Sequence, residues 1–354
     1  MHVQPPHSDA ASADGARPLQ GLRTPRRLAS SGPRAPRRAL HGVLLLDKPL
    51  GWTSNDALQK VKGLLRAEKG GHTGTLDPLA TGLLPLCFGA ATKFSQASLD
   101  ADKTYRAVLR LGVTRVGGDL EGEVIQTRPV EVSETLLRAA CAALVGEIEQ
   151  IPPMHSALKH EGRALYEYAR AGVEVERAVR RVTIHRLDIL RWQDEHLEIE
   201  VSVSKGTYIR TLAEDIGLLL GCGAHVSALR RLASGVLDVK AAVSMEHLLA
   251  LPPAEREALL LPPDALLSNW PALTLDADET GRFLCGLRRR TTHADCAAVR
   301  VYGPEPRSFL GSAHVKSGEL IPGRLLSPIE VKALLEPLQQ AAPSDFVKKP
   351  ESTT

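Results

Sequence analysis

A glycine-rich stretch, residues 70–82, carries the side chain best suited to chemistry. It reads GGHTGTLDPLATG, and its four glycines disfavour a helix because glycine loses much backbone freedom on folding. Pro78 fixes its own φ and pushes Asp77 toward an extended conformation, which limits how the carboxylate can point. A loop carboxylate held by a rigid scaffold could act as a nucleophile or as a base. Alternatively, Asp77 begins an Asp-Pro turn and bonds its own backbone, and the spacing alone leaves both interpretations open.

Two apolar segments are expected to hold this loop in place. Residues 83–88 form an apolar run typical of a buried strand, and residues 42–48 form another, which ends at a proline. Thr53 or Ser54 then caps a helix whose apolar residues share one face at helical spacing. Lys48, at the end of the first strand, could contact a phosphate or simply be solvated. The loop is therefore predicted to lie between core elements.

A basic strand and a strand-to-helix corner supply further candidate side chains. Residues 103–112 alternate strictly, with Tyr105 on the apolar face and arginines on the other, which predicts a half-buried strand. Tyr105 could be a core aromatic with a hydrogen-bonded hydroxyl. Residues 205–210, KGTYIR, lie where a strand meets the next helix, and exposed amides with Lys205 and Arg210 would suit an anionic ligand there. A capped helix with a solvated arginine is the alternative.

Composition restricts the class of protein. The 354 residues suffice for one large domain and a small one, and the 43% hydrophobic content is that of an ordinary globular protein. No apolar run approaches membrane-spanning length, so no membrane association is expected. Five scattered cysteines without a CxxC pair indicate reduced thiols in a cytosol. Walker, Rossmann and HExxH motifs do not occur, so no cofactor and no metal are expected. The net charge is only +3, but arginines gather in patches that suit phosphate contact.

Residues 1–40 differ in composition from the rest of the chain. They are rich in Pro, Ala, Ser and Arg and poor in large apolar residues, so they cannot bury enough surface to offset the entropy of ordering. We therefore predict a disordered basic tail. It could be an accessory RNA-binding arm, an organellar transit peptide or a solvated tail without a role, and it lacks the apolar region of a secretory signal.

The loop also carries a family resemblance. Residues 71–85, GHTGTLDPLATGLLP, resemble the catalytic-loop signature of the TruB family of tRNA pseudouridine synthases. Further stretches resemble the same family, and the resemblance covers about residues 42–250. These stretches are VLLLDKP (43–49), QIPPMHSALK (150–159), SKGTYIR (204–210) and GCGAHVSALRRL (221–232).

The resemblance implies an activity and a set of roles. The enzyme would isomerise the uridine at position 55, in the T-arm of tRNA, to pseudouridine without a cofactor. Asp77 would be the catalytic nucleophile, attacking either C1′ or C6 of the nucleotide, with Arg210 close enough to pair with it. Arg230 and Arg231 would lie near the RNA backbone. The implied substrate-binding residues are His72, filling the space that the base leaves, Tyr105, packing on the flipped base, and Tyr208, Arg210 and Leu229, lining the pocket.

One turn departs from the family pattern. The family usually continues the basic strand into a Gly-x-x-Thr-Asp-Thr-x-Asp-x-x-Gly turn, whereas residues 112–122 read GVTRVGGDLEG. Asp119 and Gly122 match, but Val116 replaces the earlier aspartate and Arg115 adds a positive charge. Whether this turn contacts RNA or anchors a loop stays open.

The expected fold is α+β, with a central mixed, mostly antiparallel sheet and a small C-terminal PUA-like β-barrel. The expected divisions are a tail (1–40), a pseudouridine synthase catalytic domain (41–268), a PUA-like RNA-binding domain (269–332) and a C-terminal tail (333–354). The expected partner is the T-arm stem-loop of tRNA. The chain is expected to be a cytoplasmic monomer that requires no protein partner.

Three other functions stay open. The first is a related synthase acting on another RNA, such as a guide-dependent member of the superfamily. The second is a non-catalytic RNA-binding or folding factor, which the presence of Asp77, Tyr105 and Tyr208 disfavours. The third is a hydrolase working through an ester on Asp77, which the lack of a nearby base other than His72 disfavours.

Overall fold

A computed structural model describes residues 36–304 and 308–340 of the chain, with side chains to residue 335. The strands within these ranges are β1 (Gly42–Lys48), β2 (Gly70–His72), β3 (Ala80–Phe88), β4 (Lys103–Leu111), β5 (Val113–Arg115), β6 (Val124–Thr127), β7 (Gly146–Gln150), β8 (Lys159–His160), β9 (Arg163–Ala164), β10 (Arg180–Gln193), β11 (His196–Val203), β12 (Ala224–Ser234), β13 (Leu237–Asp238), β14 (Val243–Ser244), β15 (Ala272–Thr274), β16 (Arg289–Arg290), β17 (Cys296–Tyr302), β18 (Phe309–Lys316) and β19 (Glu319–Leu325). The α-helices are α1 (Ser54–Leu64), α2 (Ser95–Asp100), α3 (Glu134–Ala143), α4 (Leu165–Arg170), α5 (Ile209–Leu219), α6 (Met245–Ala250), α7 (Pro253–Ala258), α8 (Ala277–Leu284) and α9 (Pro328–Gln340).

Ten strands form one large sheet, ordered β14-β1-β3-β12-β4-β11-β10-β7, with β13 paired to β12 and β2 to β3. Its pairs are antiparallel except β1 with β14 and β3 with β12. A second, five-stranded sheet follows, ordered β15-β17-β18-β19-β16, and forms the small PUA-like half-barrel. The predicted α+β class, with a mixed and mostly antiparallel sheet, is confirmed.

Local sequence explains the elements that bound the loop. β1 is apolar on both faces and is buried along almost its whole length, as expected for a strand deep in a sheet. Thr53 caps α1 through a capping box with Asp56, which satisfies free amides of the first turn. β4 alternates between buried and accessible residues as its sequence predicted, with Ala107 and Leu109 inside.

A shared apolar core joins the two sheets. Leu83 and Cys87 on β3 belong to the same buried cluster as Tyr302 and Phe309 of the half-barrel. Phe94, just after β3, lies 5.1 Å from the Phe309 ring between centroids. The half-barrel therefore packs directly behind the strand that follows the glycine-rich loop.

The chain ends of the described region differ from the predicted tails. In residues 36–40 the backbone N–H of Arg38 donates to the Arg66 carbonyl (2.8 Å), and the Glu68 N–H donates to the Arg38 carbonyl (2.9 Å). The loop after α1 does not use these backbone groups in a helix or strand, so residues 36–40 form hydrogen bonds with them. The rest of the predicted N-terminal tail, and residues 341–354, lie outside the described residues.

Helix α9 begins at Pro328, before the predicted C-terminal tail. Ser327 and Glu330 exchange side-chain and backbone hydrogen bonds across its first turn. A short helix was expected within about residues 335–354, and this capping box with proline at the first helical position makes it begin earlier, at Pro328. Throughout the described ranges, no helix is both long and apolar enough to cross a membrane.

Candidate active site

The loop between β2 and β3 presents Asp77 from a fixed backbone. Ser54, at the start of α1, accepts from the Leu76 N–H at 2.8 Å and donates to the Leu76 carbonyl at 3.1 Å. The Ala80 N–H donates to the Asp77 carbonyl at 3.0 Å, and the Gly51 N–H donates to the Pro78 carbonyl at 2.8 Å. The backbone thus makes the predicted turn, while the Asp77 side chain points to another partner.

That partner is Arg210, whose guanidinium bridges two carboxylates. Its Nη2 lies 3.1 Å from Asp77 Oδ2 and its Nη1 lies 3.2 Å from Asp119 Oδ2. The same two nitrogens donate to the carbonyls of His155 (2.7 Å) and Gly117 (3.3 Å). The Arg210 side chain is only 8% exposed, so four acceptors hold it in one orientation. The expected proximity of Arg210 to Asp77 is present, and Asp119 joins them.

Burial and charge act in opposite directions on Asp77. Its side chain is 42% exposed, but it lines two cavities, where neighbouring protein atoms displace part of its water. This desolvation raises the pKa of Asp77, the Arg210 charge lowers it, and the nearby Asp119 charge raises it again. Arg210 is therefore the main group that favours the ionised carboxylate.

Two cavities meet at Asp77 and Arg210. One, of about 390 Å³, is lined by Tyr105, Tyr208 and Leu229. The other, of about 540 Å³, is lined by His72 together with side chains from α1 and α4. We call them the inner and the outer cavity. All six residues singled out from the sequence therefore line these two cavities, with His72 on the opposite side of Asp77 from the tyrosines.

Neighbouring strands and a helix start shape the inner cavity. Leu229 on β12 pairs with Ala80 on β3 and with Ala107 on β4. Tyr208 precedes α5, where the Gln150 side chain accepts from its N–H (3.0 Å) and donates to its carbonyl (3.3 Å). Burial raises the pKa of Tyr208, so its phenol stays protonated.

His72 faces the outer cavity from β2. Burial, and then the charge of Arg231, lower the pKa of its imidazole, so the ring is neutral around pH 7. Its Nδ1 is buried and has no hydrogen-bond partner among the described residues. A neutral aromatic ring at this position can stack on a planar group.

Two charged side chains, Lys48 and Arg231, differ from their predicted positions. Lys48 is fully buried, not solvated or free for phosphate, and its Nζ donates to the carbonyls of Pro49 (3.0 Å) and Trp52 (2.6 Å). Burial lowers its pKa to about 8. Arg230 and Arg231 were expected near RNA. Arg231 is instead only 1% exposed. Arg230 forms a two-pronged ion pair with Asp47, at 2.9 and 2.6 Å, but its side chain is 39% exposed, so its place near RNA stays a prediction.

The atypical turn still delivers Asp119 to the site. Arg115 Nη1 donates to the Gly122 carbonyl at 2.9 Å, which closes the turn with a contact of its own. A Cβ on Gly122 would lie 1.7 Å from the Val116 carbonyl oxygen, so only glycine fits there. Asp119 was left out of the predicted site, although its match to the family pattern was the signal that could have included it.

Across the described parts of the chain, no group of three or more His, Cys, Asp or Glu side chains is arranged to hold a metal ion. The site is thus an ionisable carboxylate, an arginine and two phenols around paired cavities. Such a site can perform nucleophilic and proton-transfer chemistry on a planar substrate.

Three family models match successive parts of the chain. They are TruB family pseudouridylate synthase (N terminal domain) at residues 62–209, tRNA pseudouridylate synthase B C-terminal domain at 210–268, and Pseudouridine synthase II TruB, C-terminal, at 271–326.

Curated relatives cover most of the chain. A tRNA pseudouridine synthase B of Verminephrobacter eiseniae is 55% identical over 313 residues, which is 86% of this chain and 95% of that protein. One of Cupriavidus pinatubonensis is 57% identical over 304 residues, which is 83% and 96% of the two chains. Among solved structures, a chain of a Cbf5-Nop10-Gar1 complex has a TM-score of 0.64 at 24% identity, covering 83% of this chain and 87% of that one. That likeness describes the fold.

Proposed function

Because the chain belongs to the TruB family of pseudouridylate synthases, we propose that it isomerises uridine 55 in the T-arm of tRNA, with Asp77 as the nucleophile. Its relatives make it a tRNA pseudouridine synthase, an isomerase. The single observation that carries the mechanism is the position of the Asp77 carboxylate, bonded to Arg210 where the inner and outer cavities meet.

The two cavities suit the two parts of an opened RNA loop. A base stacked in RNA cannot be reached by the carboxylate, so it must be extruded at a cost of a few kcal/mol. The inner cavity accepts the extruded uracil, with Tyr105 against its face and Leu229 as an apolar wall. His72, uncharged in the outer cavity, stacks where the base was and offsets part of the unstacking cost.

Asp77 attacks in its ionised form. Attack at C1′ releases the base with the N1–C1′ electron pair, whereas attack at C6 makes an adduct that then leaves C1′. In both routes the base turns, C5 bonds to C1′ and the Asp77 carboxylate is regenerated. In the C1′ route C5 displaces the carboxylate from C1′. In the C6 route the bond between C6 and the carboxylate oxygen breaks as the C5 proton leaves, which restores the C5=C6 double bond. The C5 proton is removed with help from Tyr105, and N1 ends protonated, so no atom is gained or lost. Arg210 holds the attacking carboxylate charged and oriented throughout.

Tritium release measures this reaction directly. A T-arm stem-loop carrying [5-³H]uridine at the target position should lose its tritium to water when mixed with the purified chain alone. A stem-loop with cytidine at that position is the control. No release from the uridine substrate, or release only after a guide RNA is added, would overturn the proposal.

We also propose that the chain acts as a cytoplasmic monomer that needs no protein partner. All five cysteines are free thiols, and Cys87, Cys141 and Cys222 are buried. Such thiols suit a reducing compartment. Light scattering of the active protein tests the monomeric state.

A further inference from the structure

Arg231 ties together the two ends of the catalytic loop from inside the protein. Its Nε donates to the Leu83 carbonyl at 2.7 Å, and its Nη2 donates to the Gly74 carbonyl at 3.1 Å. These carbonyls lie on either side of residues 75–82, the segment that presents Asp77. One planar guanidinium therefore fixes the separation of the loop ends, which a flexible ammonium could not do with the same geometry.

The backbone of the same strand also packs against the loop. Arg231 pairs with Gly82 between β12 and β3. Gly82 has a φ of +97°, and a Cβ there would lie 2.2 Å from the Arg231 carbonyl oxygen. The loop end thus rests on Arg231 through both its main chain and its side chain.

The charge of Arg231 has no carboxylate partner among the residues that the structure describes. The side chain is 1% exposed, yet it forms no ion pair there. Instead, its charge lowers the pKa values of its neighbours Lys48, Lys103 and His72. Burying an uncompensated cation is costly, and an apolar side chain of similar size would often serve stability better. Stability alone therefore does not account for an arginine here.

Arg231 also reaches the inner cavity. It sits directly opposite Tyr105 in the β12–β4 pairing, and it lines the cavity together with Tyr105 and Asp77. A shift of the guanidinium would move the loop relative to the tyrosine against which the base packs. The contacts thus connect the position of the nucleophile to the position of the base.

We propose that Arg231 is a positioning residue that holds the 75–82 loop so that Asp77 aims at the base in the inner cavity. This inference rests on the proposed function. It assigns Arg231 a role in the chemical step and none in RNA contact, although the family resemblance implied that this arginine lies near the RNA backbone.

Single-turnover tritium release, RNA affinity and melting temperature separate these roles. Arg231→Met should lower the single-turnover rate about 100-fold, the effect of misplacing a reacting group by about 1 Å, with RNA affinity within about threefold of the wild type. Its melting temperature should stay close to that of the wild type. Arg256→Met is the matched control, and its rate should be unchanged. The Arg256 guanidinium also donates to two backbone carbonyls, those of Leu248 (2.9 Å) and Leu249 (3.1 Å), but it lines neither the inner nor the outer cavity.

Chemical rescue provides a readout that a purely structural role would not move. Arg231→Ala leaves a cavity with two carbonyl acceptors, so guanidinium chloride at tens of millimolar should restore its rate at least about tenfold. The same salt should not rescue Asp77→Asn. A wild-type rate in Arg231→Met, or loss of rate in Arg231→Ala without rescue by guanidinium, would overturn the inference. An inactive wild-type chain would instead refute the proposed function.

Discussion

Replacing Arg210 by alanine should move the acidic limb of the pH–rate profile to higher pH. Asp77 must be ionised to attack, so the rate rises with pH through its pKa. Burial already raises that pKa, and Arg210 is the largest influence that lowers it. Without the Arg210 cation, burial and the charge of Asp119 raise the pKa of Asp77 further. The carboxylate then ionises only at higher pH.

The separation of the charges sets the size of the shift. Two unit charges 3.1 Å apart interact by about 5 kcal/mol at an effective dielectric constant of 20. Asp77 is 42% exposed, and solvent screening reduces this to about 1.4–2.7 kcal/mol, which should slow the reaction about 10- to 100-fold at pH values below the limb. The rate at the plateau should also fall about 10²–10³-fold, because an oriented donor is lost.

Single-turnover tritium release between pH 5 and pH 9 (about the range that brackets this limb) provides the assay. Arg210→Lys keeps a charge but cannot bridge Asp77 and Asp119, so it should lose rate with little movement of the limb. Asp119→Asn removes a charge that raises the pKa of Asp77, so it should move the limb the opposite way, to lower pH. An unmoved limb in Arg210→Ala, or an upward shift in Asp119→Asn, would refute the reasoning.

Three further substitutions test the loop and the shared core. Asp77→Asn should abolish tritium release and leave tRNA affinity within a few-fold. The same substitution should also raise the melting temperature at pH 7 relative to the wild type. The pKa of Asp77 is raised in the folded state, so the ionised carboxylate makes the fold less stable once the pH has risen through that pKa. A lower melting temperature would contradict this. Phe309→Ala should lower the free energy of unfolding in urea by about 3–5 kcal/mol and reduce activity on a stem-loop and on full tRNA equally. Ile329→Ala, at a residue that is 81% exposed, should change neither stability nor activity. A loss of activity confined to full tRNA would contradict the packing argument. Gly82→Ala should destabilise the fold by at least about 2 kcal/mol because its Cβ meets backbone at 2.2 Å, while Gly71→Ala, with open space around it, should melt like the wild type.

Local patterns were enough to predict the elements around the site. The alternation of β4, the apolar run of β1 and the cap of α1 each depend on residues close together in sequence. Motif resemblance then brought Asp77 and Arg210 together, although 133 positions separate them, a distance that periodicity cannot bridge.

The buried cations could not be predicted in this way. Lys48 was expected in solvent or on a phosphate because lysines at strand ends usually lie outside, whereas the family resemblance placed Arg231 near RNA. The burial of Arg231 depends on the parallel pairing of β3 with β12, which places the carbonyls of Gly74 and Leu83 within reach of the guanidinium. That register is a long-range feature of the fold and leaves no periodic signal. Asp119 was missed for a related reason, since an altered turn hid a retained contact.

The apolar cluster that Leu83 shares with Phe309 has a consequence for the length of RNA helix that can be bound. Lys93 reinforces it by donating to the Leu325 carbonyl (2.9 Å) and pairing with Glu330 (2.6 Å). These contacts hold the half-barrel against the strand that follows the loop of the nucleophile. We expect that an RNA that contacts both the half-barrel and Asp77 must match this spacing, so lengthening or shortening its helix between the two contact points by a base pair should lower activity.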